Sequence, residues 1–234
     1  MTTPSGYKRE ASGIHPPYEH RAYASTHKRA PRHEPIRIQH TLSEITGPRF
    51  SPDIVGAGDA DLTRFACGEA LGERIVVTGR LLDEDGRAIP QSLIEIWQAN
   101  AAGRYAHDSD QHEAPLDPHF SGIGRVITDG DGAYRFTTVK PGAYPWRNHY
   151  NAWRPQHIHF SLFGPSFATR LITQMYFPGD PLLAIDPVYQ SIPDAKARER
   201  LICTQHLQTG IEMIALGYRF DIVLAGAAST PMGL

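Results

Sequence analysis

His157 and His159 stand one residue apart in the run WRPQHIHFSLFG, Trp153 to Gly164. The run is otherwise strand-like, and side chains of a strand alternate between faces, so both imidazoles project to one side while Ile158 and Phe160 project to the other. Two imidazoles on one face suit a single metal ion. A cupin-like site would want a glutamate a few residues on, where this sequence has Leu162, Phe163 and Gly164. The facial triad of two histidines and a carboxylate finds no acid beside the pair. A third histidine such as His149 would make a zinc site of three imidazoles and an open position. Tyrosines are the alternative donors, and two occupy suggestive contexts: Tyr105 in NAAGRYAHD and Tyr144 in KPGAYPWRN. Phenol ionises at about pH 10, so it ligates at neutral pH only beside a strongly Lewis-acidic ion, for which ferric iron is the natural candidate. On the residues alone, the zinc reading, the ferric reading, a facial triad completed by a remote carboxylate and a metal-free polar face all stay open.

Such a pair needs strands to hold it. From Glu73 the run ERIVVTGRLLDEDGRAIPQSLIEIWQAN contains two strand-like pieces separated by the turn signals Asp85-Gly86 and Pro90. A second hairpin is predicted in GRVITDGDGAYRFTTV, where Asp129 to Gly132 supply the turn and Tyr134 and Phe136 alternate with polar neighbours. The runs HIHFSLFG, TRLITQMYF and YRFDIVLAG add further strands, and DAKARERLICTQHL is the one clear amphipathic helix. The expected fold is all-β: an antiparallel sandwich with one or few short helices over residues 73–234. Residues 1–72 are rich in Pro, His, Arg and Ser and show little apolar periodicity beyond pieces such as HTLSEITG and SEITGPRF. They are expected to form an extended N-terminal arm packed on a partner subunit.

A chain of 234 residues with a formal net charge of −2 has no global basic field, which argues against nucleic acid or an anionic membrane as partner. Cys67 and Cys203 are the only cysteines, and the start MTTPSGYKREASG lacks the apolar core of a secretory signal, so a cytoplasmic location is expected. The longest apolar candidate, FDIVLAGAA, is far too short to span a membrane.

Two blocks together resemble the intradiol ring-cleaving dioxygenases. One is VTGRLLDEDGRAIPQSLIEIWQANAAGRY, with its glycine, turn, Glu95 and terminal Gly-x-Tyr in the family's order; the other is PGAYPWRNHYNAWRPQHIHF. The likeness runs from about Tyr23 to Leu224. It implies a non-haem Fe(III) held by Tyr105, Tyr144, His157 and His159, with Tyr144 and His159 axial and Tyr105 and His157 equatorial. It implies further that Arg154 stabilises negative charge on the ring and that the departing Tyr144 phenolate accepts a proton. Gln174 would hydrogen-bond near the substrate and this arginine, Trp97 and Trp146 would wall the ring pocket, Val188 would be an aliphatic pocket residue, and Tyr23 would lie near a substrate carboxylate.

The implied activity is cleavage of protocatechuate by O2, between its two hydroxyl-bearing carbons, to 3-carboxy-cis,cis-muconate, within the β-ketoadipate route of aromatic catabolism. Relatives acting on catechol or hydroxyquinol bring a helical N-terminal dimerisation domain, whereas residues 1–72 here look like an arm, which favours protocatechuate. The implied partner is a homologous α subunit lacking the iron ligands, in a symmetric αβ assembly. Two readings stand beside this one: an intradiol dioxygenase for another catechol, and a metal-free transthyretin-like binding module, since similar sandwiches serve both ends.

Overall fold

The computed structural model describes residues 11–36, 42, 52–148, 153–163 and 170–233. A small two-stranded piece, β1 (Arg64–Phe65) with β2 (Gly68–Glu69), precedes the first long strand, β3 (Arg74–Leu82). Then come β4 (Leu93–Trp97), β5 (Ile123–Ile127), β6 (Ala133–Val139), the short β7 (Tyr144–Pro145) and β8 (Trp153–Arg154), β9 (His157–Leu162) and β10 (Leu171–Tyr176). The remaining strands are β11 (Thr204–Gln205), β12 (Leu216–Arg219) and β13 (Ile222–Val223). The α-helices are short: α1 (Thr26–Arg29), α2 (Pro187–Gln190) and α3 (Ala195–Glu199).

Two sheets form the sandwich. One has the order β10-β9-β4-β5; in the other β3 is central, paired with β6 on one side and with β12 and β13 on the other, and β11 flanks β12. Most pairings are antiparallel, as expected, but β12 and β13 both run parallel to β3. The core between the sheets draws Ile75, Val77 and Leu81 from β3, Phe136 from β6, Ile94 and Ile96 from β4, and Ile158, Phe160 and Leu162 from β9. These are alternate residues of their strands, which is the two-residue period expected of a sheet with one face on the core.

Three local expectations are corrected. The two predicted hairpins are not hairpins: β3 and β4 lie in different sheets, and so do β5 and β6. The turns have the expected chemistry. Asp83 accepts from the N–H groups of Asp85 and Arg87, and Asp129 does the same for Asp131 and Ala133. Beyond the turn, however, the chain pairs with its strand only briefly. Ile89 still bonds back to the Leu81 carbonyl, but Pro90 has no N–H to extend the ladder, and Gln91 bonds instead to the Thr128 carbonyl of the opposite sheet. Each Asp-x-Asp-Gly loop is therefore a corner between sheets.

The helix predicted across DAKARERLICTQHL is cut to Ala195–Glu199. Asp194 caps it through Lys196 N–H, but Leu201 and Cys203 exchange backbone bonds with Tyr176 at the end of β10, and Thr204–Gln205 joins β12. Sheet pairing with a distant segment outweighs the local helical period here.

Within residues 1–72, Leu62 and Ala70 enter the main core, while Ile14 joins a second cluster with Tyr176, Leu183, Tyr189, Ile192, Ala197 and Leu201. No helix among the described residues is long and apolar enough to cross a membrane.

Candidate metal centre

β9 lies between β10 and β4 in the four-stranded sheet, and its register sets the site. His159 lies opposite Trp97 of β4 on one side and Gln174 of β10 on the other, while His157 lies opposite Tyr176. Side chains directly across a ladder share a face, so Trp97, His159 and Gln174 form one row across the sheet and Tyr176 begins the next beside His157. Trp97 stacks on the His159 ring with centroids 4.7 Å apart and planes 3° from parallel. The pro-core face of β9 is filled by Ile158, Phe160 and Leu162, so the histidines are held rigidly on the other face.

The donor atoms converge. His157 Nδ1 lies 2.6 Å from the Pro155 carbonyl, so that nitrogen carries the proton and Nε2 keeps its lone pair. His157 Nε2 is 3.2 Å from His159 Nε2, which is 3.2 Å from the Tyr105 hydroxyl, and the Tyr144 hydroxyl is 3.4 Å from His157 Nε2. The two phenol rings meet edge to face, 5.3 Å apart at 84°. Donors bound at about 2.1 Å to one ion lie about 3.0–3.4 Å apart around it, so these spacings match the edges of a coordination polyhedron.

Two Gly-x-Tyr tripeptides bring the phenols in. Gly103 and Gly142 both donate their N–H to the Asn100 carbonyl, and the Asn100 side chain accepts from Ala102 and Arg104 N–H. Gly103 has φ +81°, and a Cβ there would run into the Ala143 carbonyl oxygen. The loops before Tyr105 and Tyr144 can approach this closely only because these positions lack side chains. Asp110 then accepts the Tyr105 N–H, and Tyr144 is fixed by β7 pairing with β8, opposite Arg154.

Electrostatically the surroundings favour the neutral form of all four donors. Burial pushes the Tyr105 phenol well above its usual range, reinforced by Tyr144, and burial likewise raises Tyr144. Burial and the Arg154 charge lower both imidazoles, His159 to about 3. Four neutral donors packed this closely have two removable phenolic protons, which suits an ion that can displace them. Among the described residues no group of three His, Cys, Asp or Glu side chains is placed to hold a metal. His149, the third imidazole of the zinc alternative, lies outside the described residues.

Arg154 adjoins the quartet. Its Nε donates to Asp186 Oδ1 at 2.8 Å, and its Nη2 donates to Gln174 Oε1 at 2.6 Å and to the Tyr176 hydroxyl at 3.1 Å. Burial opposes its charge, but Tyr176, Asp186 and Tyr144 outweigh that and hold it protonated. Trp146 lies under the guanidinium at 5.1 Å, and Tyr23 meets the Trp146 ring edge-on at 4.8 Å. The segment carrying Tyr23 is clasped in place by Asn148, which exchanges two hydrogen bonds with Ser25. Val188 is buried on α2, two residues beyond Asp186.

The structure thus gathers Tyr105, Tyr144, His157 and His159 at one point, sets Trp97 and Gln174 beside His159, and places Arg154, Trp146 and Tyr23 in successive contact beside them. Sequence reading missed Asp186, Tyr176 and the Ser25–Asn148 clasp. The only signal for Asp186 is Asp-Pro, a helix-start pattern that says nothing of an arginine partner. A cleft of about 580 Å³, lined by Thr78, Arg125, Tyr134 and Arg219 among others, contains none of these site residues.

Comparison with known proteins finds relatives over most of the chain. A family profile described as "Dioxygenase" matches residues 45–226, and one described as "Protocatechuate 3,4-dioxygenase beta subunit N terminal" matches residues 7–41. A protocatechuate 3,4-dioxygenase beta chain from Burkholderia cepacia is 58% identical over 220 residues, 93% of each chain. An alpha chain of the same name and organism is 29% identical, over 82% of this chain and 96% of that one. The crystal structure of 3-chlorocatechol 1,2-dioxygenase from Rhodococcus opacus 1CP shares the fold, with a TM-score of 0.55 at 22% identity, over 80% of this chain and 73% of that one.

Proposed function

The chain belongs to the intradiol ring-cleaving dioxygenase family, and on that premise we propose that it cleaves protocatechuate with O2 to 3-carboxy-cis,cis-muconate, using Fe(III) held by Tyr105, Tyr144, His157 and His159. The observation that carries this reading is the convergence of two phenol oxygens and two imidazole Nε2 atoms, with successive neighbours 3.2–3.4 Å apart. When bound, ferric iron would supply a Lewis acid strong enough to keep both phenols ionised and to be chelated by the two catechol oxygens, which makes the ring open to attack by O2.

The chain's own residues then have distinct tasks. His157 cannot rotate, because Nδ1 is tied to Pro155, and His159 is pinned by Trp97, so both offer Nε2 in a set direction. Tyr144 sits on a ladder of only two residues, and its phenolate oxygen can take a proton from the incoming catechol. The permanent charge of Arg154 stabilises the negative charge that develops as the ring ketonises, in a buried setting where water cannot screen it. Gln174 orients that guanidinium, Trp97 and Trp146 wall the ring, Val188 shapes the pocket, and Tyr23 meets the substrate carboxylate.

Residues 1–72 serve as an arm in this reading. Ile14 and Tyr23 pack on this chain, while Tyr18 and Ile36 are exposed and available to a homologous α chain in an αβ assembly. The likeness to an alpha chain supports such a pairing of related sandwiches. Metal analysis and a visible spectrum of the purified protein, before and after protocatechuate, test the proposal. Iron, a broad phenolate charge-transfer band that changes with substrate, and a muconate product are expected; active, colourless protein with stoichiometric zinc would overturn it.

A further inference from the structure

We propose that Asp186 is a positioning residue for ring cleavage, setting the direction of the Arg154 guanidinium and tying it to the helix that carries Val188. The inference rests on the ring-cleaving reading above. Asp186 is fully buried, and both its oxygens are engaged: Oδ1 accepts Arg154 Nε at 2.8 Å, while Oδ2 accepts the Tyr189 N–H at 3.1 Å and the Tyr176 hydroxyl at 3.2 Å, with Arg154 Nη2 at 3.4 Å.

A buried ion pair is weak evidence for stability, because desolvation offsets much of the attraction. Its geometry is more telling. Gln174 and Tyr176 hold only Nη2, a single point about which the guanidinium plane could still swing. Asp186 adds a second point at Nε, and two points on a planar fork fix its orientation. The bonds leave the third nitrogen, Nη1, outside this clamp. Asp186 is also the cap of α2, followed by Pro187, so the carboxylate that aims Arg154 starts the helix bearing Val188. The charge beside the ring and the aliphatic wall therefore share one anchor, 32 residues from Arg154 in the chain.

The test uses the iron-loaded full chain in its native assembly. Asp186→Asn keeps the shape and removes the charge. It should lower kcat about 10- to 100-fold, the scale of a misplaced catalytic group, with KM changed less than about threefold and the visible band unmoved. In an Arg154→Gln background, adding Asp186→Asn should change kcat by less than about twofold, since asparagine can still cap α2 and the lost charge acts only through Arg154. This pair removes both buried charges, so it can be read even where the single variant folds poorly. A wild-type kcat in Asp186→Asn, or a further loss of about tenfold or more in the Arg154→Gln background, would overturn the proposal while leaving the enzyme assignment standing. Wild-type protein with iron and no ring cleavage would instead overturn the assignment, and this proposal with it.

Discussion

Replacing Arg154 by serine tests the link between charge and chemistry most directly. The side chain is 3% exposed, and its loss strands Asp186, which has no exposure to water. Removing one member of a buried ion pair costs about 3–5 kcal/mol. For a chain of this size each kcal/mol lowers Tm by about 2–4 °C, so calorimetry should show a fall of about 6–20 °C. The protein should still fold with its donors in place, because the β7–β8 backbone pairing that sets Tyr144 opposite residue 154 is one that serine can maintain. Oxygen uptake with protocatechuate, measured well below the new Tm, should show kcat down by about two to three orders of magnitude and a smaller change in KM, as expected when a charge acts mainly on the transition state. The visible band should persist. Unchanged turnover in the folded, iron-containing variant would refute the role assigned to the guanidinium; loss of iron would refute its placement on the substrate side of the centre.

The metal-free protein should lose stability in acid. Both imidazoles are neutral in the fold and free to protonate in the unfolded chain, so stability is full above the ordinary histidine pKa of about 6.5 and falls as pH drops below it, for His159 down to about 3, by up to about 1.4 kcal/mol per pH unit for each group. Urea unfolding at pH 7 and pH 5 would show it, and equal midpoints would contradict the burial argument. Gly103→Ala should cost about 1 kcal/mol or more from its positive φ alone and should lower iron content by moving Tyr105 and Tyr144 apart; a variant with full iron and an unchanged spectrum would refute the close-approach account. Expression with and without an α chain, followed by solution mass and oxygen uptake, should show full activity only in the hetero-oligomer; a fully active monomer would dispose of the arm proposal, and a fully active homo-oligomer of the α-chain proposal.

What could be read from the sequence was whatever depends on neighbours along the chain. The period of a strand puts His157 and His159 on one face whatever lies around them. The Asp-x-Asp-Gly runs form their turns from their own side chains and glycines, and the two Gly-x-Tyr pieces are visible as such. The family likeness added the order of the ligand residues. Tertiary structure decided everything that depends on partners far away. Tyr105 meets His159 across 54 residues and Arg154 meets Asp186 across 32, and no local pattern records which carboxylate a buried arginine will find. The first predicted hairpin became a corner between sheets because, past Pro90, the backbone donor of Gln91 finds its acceptor in the opposite sheet. The long predicted helix stopped at Glu199 because Leu201 and Cys203 are claimed by the end of β10. In each case a local preference worth a fraction of a kcal/mol per residue meets a buried backbone group that must be paired, and the buried group prevails.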